Sequence, residues 1–320
     1  MAPAVPPSRP LVIVADPLDP EALNLLAGWA QVKDLSKEPQ DLPARLGEAQ
    51  ALIVRSRTRV DAEMLSRAPS LRVIGRAGVG VDNIDVEEAT RRHIAVVNAP
   101  TAATTSVAEL TVGLLVAVAR DFGVHVPLLK GGSWQRAGQG LELAGRRVGF
   151  VGYGRIAREV ASRLRAFRMT CCAYDPYVTH PPDETPLIPL DNLLASSDVV
   201  SLHASLTPEN RHLINRERIS RMKKGALLLN VARGALVDEE ALLEALGSGQ
   251  IGGAGLDVFE TEPPVRRELL AHPRVVPLPH IGASTREAQR RAGEIVVEEI
   301  RRVFAGKKPE YGVNIPGRSP

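Results

Sequence analysis

Three polar side chains, Arg233, Glu262 and His280, each follow a short apolar run: Ala226–Asn230, Ala254–Val258 and Val275–Leu278. In a doubly wound parallel sheet, function gathers just beyond the carboxyl ends of such strands. Histidine titrates near neutrality, so it can take or give a proton, and a carboxylate beside it orients the ring and favours its cationic form. Arginine can hold a carboxylate through two parallel hydrogen bonds and polarise a forming carbonyl. Together these groups suit removal of a hydroxyl proton while hydride leaves the same carbon. Spacing alone does not bring them together, and each has a plainer reading. His280, after Pro279, also reads as a capping or core histidine, Glu262 as a turn residue before Pro263-Pro264, and Arg233 as a surface charge.

A hydride acceptor is signalled upstream. Gly152-Tyr153-Gly154-Arg155-Ile156-Ala157 fits the pattern G-x-G-x-x-G/A. In that pattern the first glycine permits a tight turn, the second lets backbone approach a pyrophosphate, and the small third residue lets helix and strand pack closely. Alone the motif is weak. Here it follows an apolar strand, Val148–Val151, and opens a helix, Ile156–Phe167, whose free N–H groups attract phosphate. Asp175 ends the next strand, Cys171–Tyr174, where a carboxylate accepts hydrogen bonds from the adenosine ribose. Its charge would repel a 2′-phosphate, so NAD is expected over NADP. A second glycine turn, Gly78-Val79-Gly80, has Asn83 where the third small residue belongs. It reads either as a plain tight turn or as a cradle of N–H groups for a small carboxylate.

The elements that must position these groups alternate along the chain. Strands are expected at Leu11–Ala15, Ala51–Arg55, Arg72–Arg76 and Ala95–Asn98, with helices such as Asp61–Ala68 and Val86–Arg92 between them. A second alternation starts at Arg147 and adds Val199–His203 to the strands already given, with a helix at Glu239–Leu246. This pattern defines an α/β protein with two parallel sheets covered by helices. A longer helix, Thr104–Arg120, presents Val107, Leu110, Leu114 and Ala117 at helical spacing and suits a domain crossing or a twin subunit. A loop holding Lys130, Gly131, Gly132 and Trp134 follows it, and a last helix spans Thr285–Phe304.

At 320 residues the chain predicts two domains. Hydrophobic content of 44% and charged content of 24% are those of a globular protein. A net charge of +3 with 3% aromatic residues gives neither the field nor the stacking surface for nucleic acid. Cys171 and Cys172 are adjacent, which forms no spaced metal or redox motif and suits a reducing cytoplasm. The stretch Met1–Pro10 is proline-rich and unlike a secretory leader, and Leu110–Ala119 falls well short of the roughly 20 apolar residues needed to span a bilayer. A cytoplasmic protein without a membrane or nucleic-acid partner is expected.

The chain resembles the D-isomer-specific 2-hydroxyacid dehydrogenases, most closely their phosphoglycerate dehydrogenase branch. The matching stretches are Val73–Asp85, Gly149–Ala157, Tyr174–Tyr177, Asn230–Asp238, Gly253–Pro263 and Pro279–Thr285, in the family's order. The resemblance implies that Arg233, Glu262 and His280 are catalytic, with His280 as the base in alcohol oxidation, paired to Glu262, and Arg233 holding substrate. It implies NAD contacts at Val79, Gly152, Gly154, Arg155, Ile156, Asp175 and Thr207. Further NAD contacts are implied at Val231, Ala232, Arg233, Asp257, His280, Ile281, Gly282 and Ala283, with Asp257 on the nicotinamide carboxamide. Substrate contacts are implied at Arg55, Ser56, Gly78, Val79, Asn83, Arg233 and His280.

The implied fold is a Rossmann NAD-binding domain, residues 101–288, inserted in a flavodoxin-like substrate domain, residues 1–100 and 289–320, with the active site in the cleft. A homodimer or homotetramer is implied, with the segment after Thr104 at the interface. The expected reaction is NAD-dependent oxidation of a small anionic D-2-hydroxy acid, foremost 3-phosphoglycerate to 3-phosphohydroxypyruvate in serine synthesis. Reduction of glyoxylate or hydroxypyruvate to the hydroxy acid is the alternative. The family also holds NAD-sensing corepressors, against which the intact Arg233, Glu262 and His280 set weighs. Ending at Pro320, the chain is expected to lack a serine-binding regulatory domain. Thr101–Ser106 and Gln135–Gly140 depart from the commonest forms of that branch.

Overall fold

A computed structural model describes residues 9–315; the stretches 1–8 and 316–320, including most of the proline-rich start, lie outside the described residues. Contacts divide the chain into two units, residues 1–103 with 283–320, and residues 104–282.

The first unit is built on a five-stranded parallel sheet of β1 (Leu11–Val14), β2 (Gln31–Asp34), β3 (Ala51–Val54), β4 (Val73–Arg76) and β5 (Ala95–Asn98). Its order β2-β1-β3-β4-β5 is the flavodoxin-like one. Strand alternation sends Ile13, Leu52, Ile74 and Val96 into one core and Val12, Ile53, Val73 and Val97 into another on the opposite face. Helix Arg286–Phe304 covers the second face through Ala292, Val296 and Ile300, and it is started by Thr285, whose Oγ1 accepts from Ala288 N at 3.1 Å. Gly75 in β4 lets it approach, because a Cβ there would strike Val296 and Ile300. β2 escapes the sequence reading because Gln31-Val32-Lys33-Asp34 has one apolar residue and lies at the sheet edge.

The second unit holds β6 (Arg147–Val151), β7 (Thr170–Tyr174), β8 (Val199–Leu202), β9 (Ala226–Asn230), β10 (Ile251–Leu256) and β11 (Val275–Pro277). All are parallel, in the order β11-β10-β9-β8-β6-β7. An isolated parallel bridge between Ala173 and Leu187 flanks β7. Counted as a vestigial strand, it completes the 3-2-1-4-5-6 arrangement of dinucleotide folds, with β11 added at the far edge. The order reverses between β6 and β8, so the crevice outside their carboxyl ends is the expected ligand position.

Helix Thr104–Ala119 packs within this unit, and its buried side chains include Val107, Thr111, Leu114 and Val118 rather than the stripe of Leu110 and Ala117. Its apolar residues lie nearly all round, so periodicity did not discriminate a face. Of the expected loop, Gly131, Gly132 and Trp134 lie outside regular elements, but Lys130 ends a helix, Phe122–Lys130, with no fully buried residue. Pro127 inside it, a helix breaker in most contexts, masked the pattern.

Candidate active site

The glycine turn sits at the switch point. Gly152 has φ +85°, and a Cβ there would lie 2.6 Å from Ala204 N, just past β8, so only glycine fits. Gly154 is the exposed N-cap of helix Arg155–Ala166, offers no capping side chain, and a Cβ on it would meet nothing within 4 Å. A crowded first glycine, an open second one and an uncapped helix start fit a pyrophosphate. Buried Ala157 supplies the small third residue.

Asp175 is tied to this turn: Oδ2 accepts from Tyr153 N at 2.7 Å and Oδ1 from Tyr177 N at 2.8 Å. Each oxygen retains a lone pair for a ribose hydroxyl. Tyr153 occupies a variable position of the glycine motif. Its phenol, 1% exposed, bonds Asp183 at 2.6 Å and Thr185 at 2.7 Å, and Arg165 reaches Asp183 at 2.8 Å. Burial pushes the Tyr153 hydroxyl upward. Burial also opposes ionisation of Asp183, yet bonds from Tyr153, Arg165 and Thr185 hold it at about 2. The loop after Asp175 is thereby pinned from beneath the glycine turn. Thr207 forms a capping box with Asn210, Arg155 is exposed, Ile156 and Val231 are half-buried, and Ala232 is buried.

Beyond β9, buried Asn230 sets the next loop: its Nδ2 donates to Arg233 O at 2.9 Å and its Oδ1 accepts from Ala232 N at 3.1 Å. Arg233 Nη1 donates to Ala232 O at 2.7 Å. Gly234 brings this loop against the one after β10, because its backbone abuts Phe259 and Glu260 where a Cβ would stand.

Beyond β10 and β11, His280 Nδ1 and Glu262 Oε2 are 2.8 Å apart, and Glu262 Oε1 accepts from Phe259 N at 3.2 Å. The ring keeps Nε2 for proton exchange, and the side chain is 48% exposed. His280 is held at φ +53°, a region that histidine adopts more readily than most residues. Its N–H donates to Asp257 O at 2.8 Å. The bond from Glu262 raises the His280 pKa above its ordinary value against the opposing burial; Asp257 adds to the rise and Arg233 counters it. For Glu262, burial works upward, but the His280 bond and charge, Phe259 N–H and Arg233 bring it below the usual carboxylate range. Arg233 therefore acts electrostatically on both partners.

Asp257, expected at the nicotinamide, is 1% exposed, and its Oδ1 and Oδ2 accept from Ile281 N and Gly282 N, each at 2.8 Å. Burial raises its pKa against those two N–H groups. Its visible task is to fold the turn that presents His280. Ile281 is exposed, Gly282 buried and Ala283 half-buried.

In the first unit, Arg55 is half-buried and Ser56 exposed, on a loop fastened from two sides. Buried Asp16, missed in the sequence, accepts from Arg55 N at 2.5 Å, Thr58 N at 3.2 Å and Thr58 Oγ1 at 2.8 Å. Asn83 Nδ2 donates to Arg55 O at 2.7 Å and Thr58 O at 2.6 Å. Asn83, expected to touch substrate, thus commits its Nδ2 to this loop. Gly78 N–H is taken by Arg76 O at 2.8 Å, which leaves Val79 and Gly80 as the N–H donors of the supposed cradle. Val79 O accepts from Asn98 Nδ2 at 2.6 Å.

Residues 112–282 match the family described as D-isomer specific 2-hydroxyacid dehydrogenase, NAD binding domain. The chain is 46% identical over 313 residues to a D-3-phosphoglycerate dehydrogenase of Methanocaldococcus jannaschii, covering 95% of this chain and 59% of that protein. It is also 46% identical over 301 residues to a hydroxypyruvate reductase of Thermotoga maritima, covering 92% of this chain and 98% of that one. The solved structure of a glyoxylate reductase from Paecilomyes thermophila superimposes with TM-score 0.87 at 31% identity, over 96% of this chain and 98% of that one. The chain belongs to the D-isomer specific 2-hydroxyacid dehydrogenases, a family of nicotinamide-dependent oxidoreductases, and its second unit carries their NAD-binding domain. Among the described residues, no single helix is long and apolar enough to cross a membrane.

Proposed function

We propose that the protein oxidises a small anionic D-2-hydroxy acid, with His280 as the base. The 2.8 Å contact between His280 Nδ1 and Glu262 Oε2 carries this reading. When bound, NAD supplies the hydride acceptor; the turn from Gly152 to Ala157, Asp175, Thr207, Val231 and Ala232 would hold it. His280 Nε2 takes the hydroxyl proton, and Glu262 stabilises the imidazolium that results. Arg233 holds the substrate carboxylate and polarises the oxygen that becomes the carbonyl. Substrate contacts at Arg55, Ser56, Gly78, Val79 and Asn83 belong to the same proposal, Asn83 acting there through its side-chain oxygen. The same chemistry in reverse reduces a 2-keto acid, His280 then entering protonated.

For the substrate, 3-phosphoglycerate leads, on the route to serine. Arg55 and the exposed Arg57 and Arg59 offer cations for its phosphate. Glyoxylate or hydroxypyruvate reduction is the second reading, favoured by the equal 46% identity to relatives named for either activity. A panel of phosphoglycerate, glycerate, glycolate and D-lactate, run with NAD and NADP, separates them. The expected result is the highest kcat/KM with phosphoglycerate and NAD. Turnover of only the unphosphorylated acids moves the substrate; tight NAD binding without turnover supports a sensing protein instead.

We also propose a cytoplasmic homodimer or homotetramer. Phe122, Val126 and Leu129 make an exposed stripe on the helix Phe122–Lys130. Light scattering is expected to give a multiple of 34.4 kDa, and Leu129→Glu is expected to lower it. A wild-type mass equal to one chain removes the proposal.

A further inference from the structure

Two carboxylates outside the catalytic set exchange backbone hydrogen bonds. Glu260 N donates to Glu239 Oε1 at 2.7 Å, and Glu239 N donates to Glu260 Oε1 at 3.0 Å. Glu239 is 5% exposed and Glu260 is half-buried, so this pairs a buried acid with a partly buried one. Helix Glu239–Ser248 does not need the arrangement for its start. Asp238 already caps it, accepting from Glu240 N at 3.1 Å and Ala241 N at 3.0 Å. The pair instead ties the helix to the segment 259–262, which carries Glu262 at its other end.

The surroundings compensate the charge. His212 Nε2 lies 2.9 Å and Arg211 Nη2 3.6 Å from Glu260 Oε2, while Arg266 Nε lies 3.9 Å from Glu239 Oε2. The turn at His212 is itself stitched to the loop after Arg233, since His212 N donates to Ala235 O at 2.8 Å. Burial raises the Glu239 pKa and the Glu260 charge adds to the rise, while the Glu260 N–H, Arg266 and His212 counter it. Like charges held together in a poorly solvated place call for a return in geometry.

We infer that Glu260 is a positioning residue: its reciprocal clamp with Glu239 fixes segment 259–262 so that Glu262 meets His280 Nδ1. The inference rests on the proposed function for its catalytic meaning, but its structural content can be read without turnover. The groups acting on His280 are Glu262, Asp257 and Arg233, and Glu260 is not among its leading influences. A change at Glu260 should therefore reach the ring through the position of Glu262.

The test follows His280 by NMR in full-length protein labelled with ¹³C-histidine, its signal assigned by its loss in His280→Ala. Glu260→Ala, and the milder Glu260→Asp should the first not fold, are expected to shift the His280 titration down toward the ordinary value. Glu260→Gln keeps an acceptor for Glu239 N–H and is expected to titrate like wild type. Where turnover is measurable, kcat should fall with KM little changed. A folded Glu260→Ala or Glu260→Asp protein with an unmoved His280 titration overturns the inference. So does Glu260→Gln shifting as far as Glu260→Ala, since charge would then matter and the clamp would not. Absence of any 2-hydroxy acid turnover in wild type sinks the proposed function alone, because the titration remains readable.

Discussion

His280→Ala is expected to lower kcat for hydroxy-acid oxidation by about 10²–10⁴-fold, the usual contribution of a positioned general base. Affinity for NAD should change only a few-fold, because the turn is shaped by Asp257 accepting from Ile281 N and Gly282 N and from the backbone at 280, none of which the imidazole supplies. The pH dependence gives the same argument a sign. Oxidation needs the neutral ring, so the rate falls as pH drops through the His280 pKa, which Glu262 raises above 6.5. Reduction needs the protonated ring and fails as pH rises through that value. Glu262→Gln removes the carboxylate that raises it, so both limbs should move to lower pH. Steady-state rates across pH in the two directions, with NAD binding measured separately, check this. A His280→Ala enzyme with the wild-type rate would remove the mechanism.

The features legible in the sequence were those the chain encodes locally. Gly152 and Gly154 could be read because a turn from strand to helix needs particular residues at fixed offsets, and Asp175 followed at the end of the next strand. The buried central strands were visible for the same reason: runs such as Ala226–Asn230 are apolar throughout because both faces of the sheet are covered. What stayed hidden depends on distant partners. Nothing near Asp16 in the chain shows that it will receive N–H groups 39 and 42 residues away. Nor does the position of Tyr153 inside the glycine motif reveal that its hydroxyl meets Asp183 and Thr185, 30 and 32 residues on.

The candidate site divides along the same line. Arg233, Glu262 and His280 could be nominated by residue type and by their place after strands, but spacing could not pair them. Asp257 shows the limit most clearly. Its position was marked as important, while its structural task, folding the His280 turn, emerges only when the carboxyl ends of β10 and β11 lie side by side. Edge elements failed for a different reason. β2 is exposed enough that hydrophobic patterning has little to act on, and the helix Phe122–Lys130 has half-buried residues but no fully buried one.

Gly234→Ala is expected to destabilise the protein by about 1–3 kcal/mol or more, as overpacking does, and to reduce kcat/KM roughly 100-fold. The position has no positive φ, so turn chemistry does not demand glycine there. The constraint is contact: a methyl group would occupy the space of the Phe259 carbonyl and the Glu260 amide, which are backbone and cannot swing away. Either the loop with Arg233 or the segment leading to Glu262 must shift, and both carry proposed catalytic groups. Stability loss of this size should lower Tm by about 2–4 °C per kcal/mol in a protein of some 150–250 residues, and somewhat less in a longer chain. Gly247→Ala is the matched control, because the same methyl on helix Glu239–Ser248 meets nothing within 4 Å. It should be neutral or stabilising by about 0.5–1 kcal/mol, the helical advantage of alanine. Thermal unfolding and steady-state kinetics of the two variants decide the matter. Equal Tm and equal activity would mean that the approach of the two loops does not hold Arg233 and Glu262 in place.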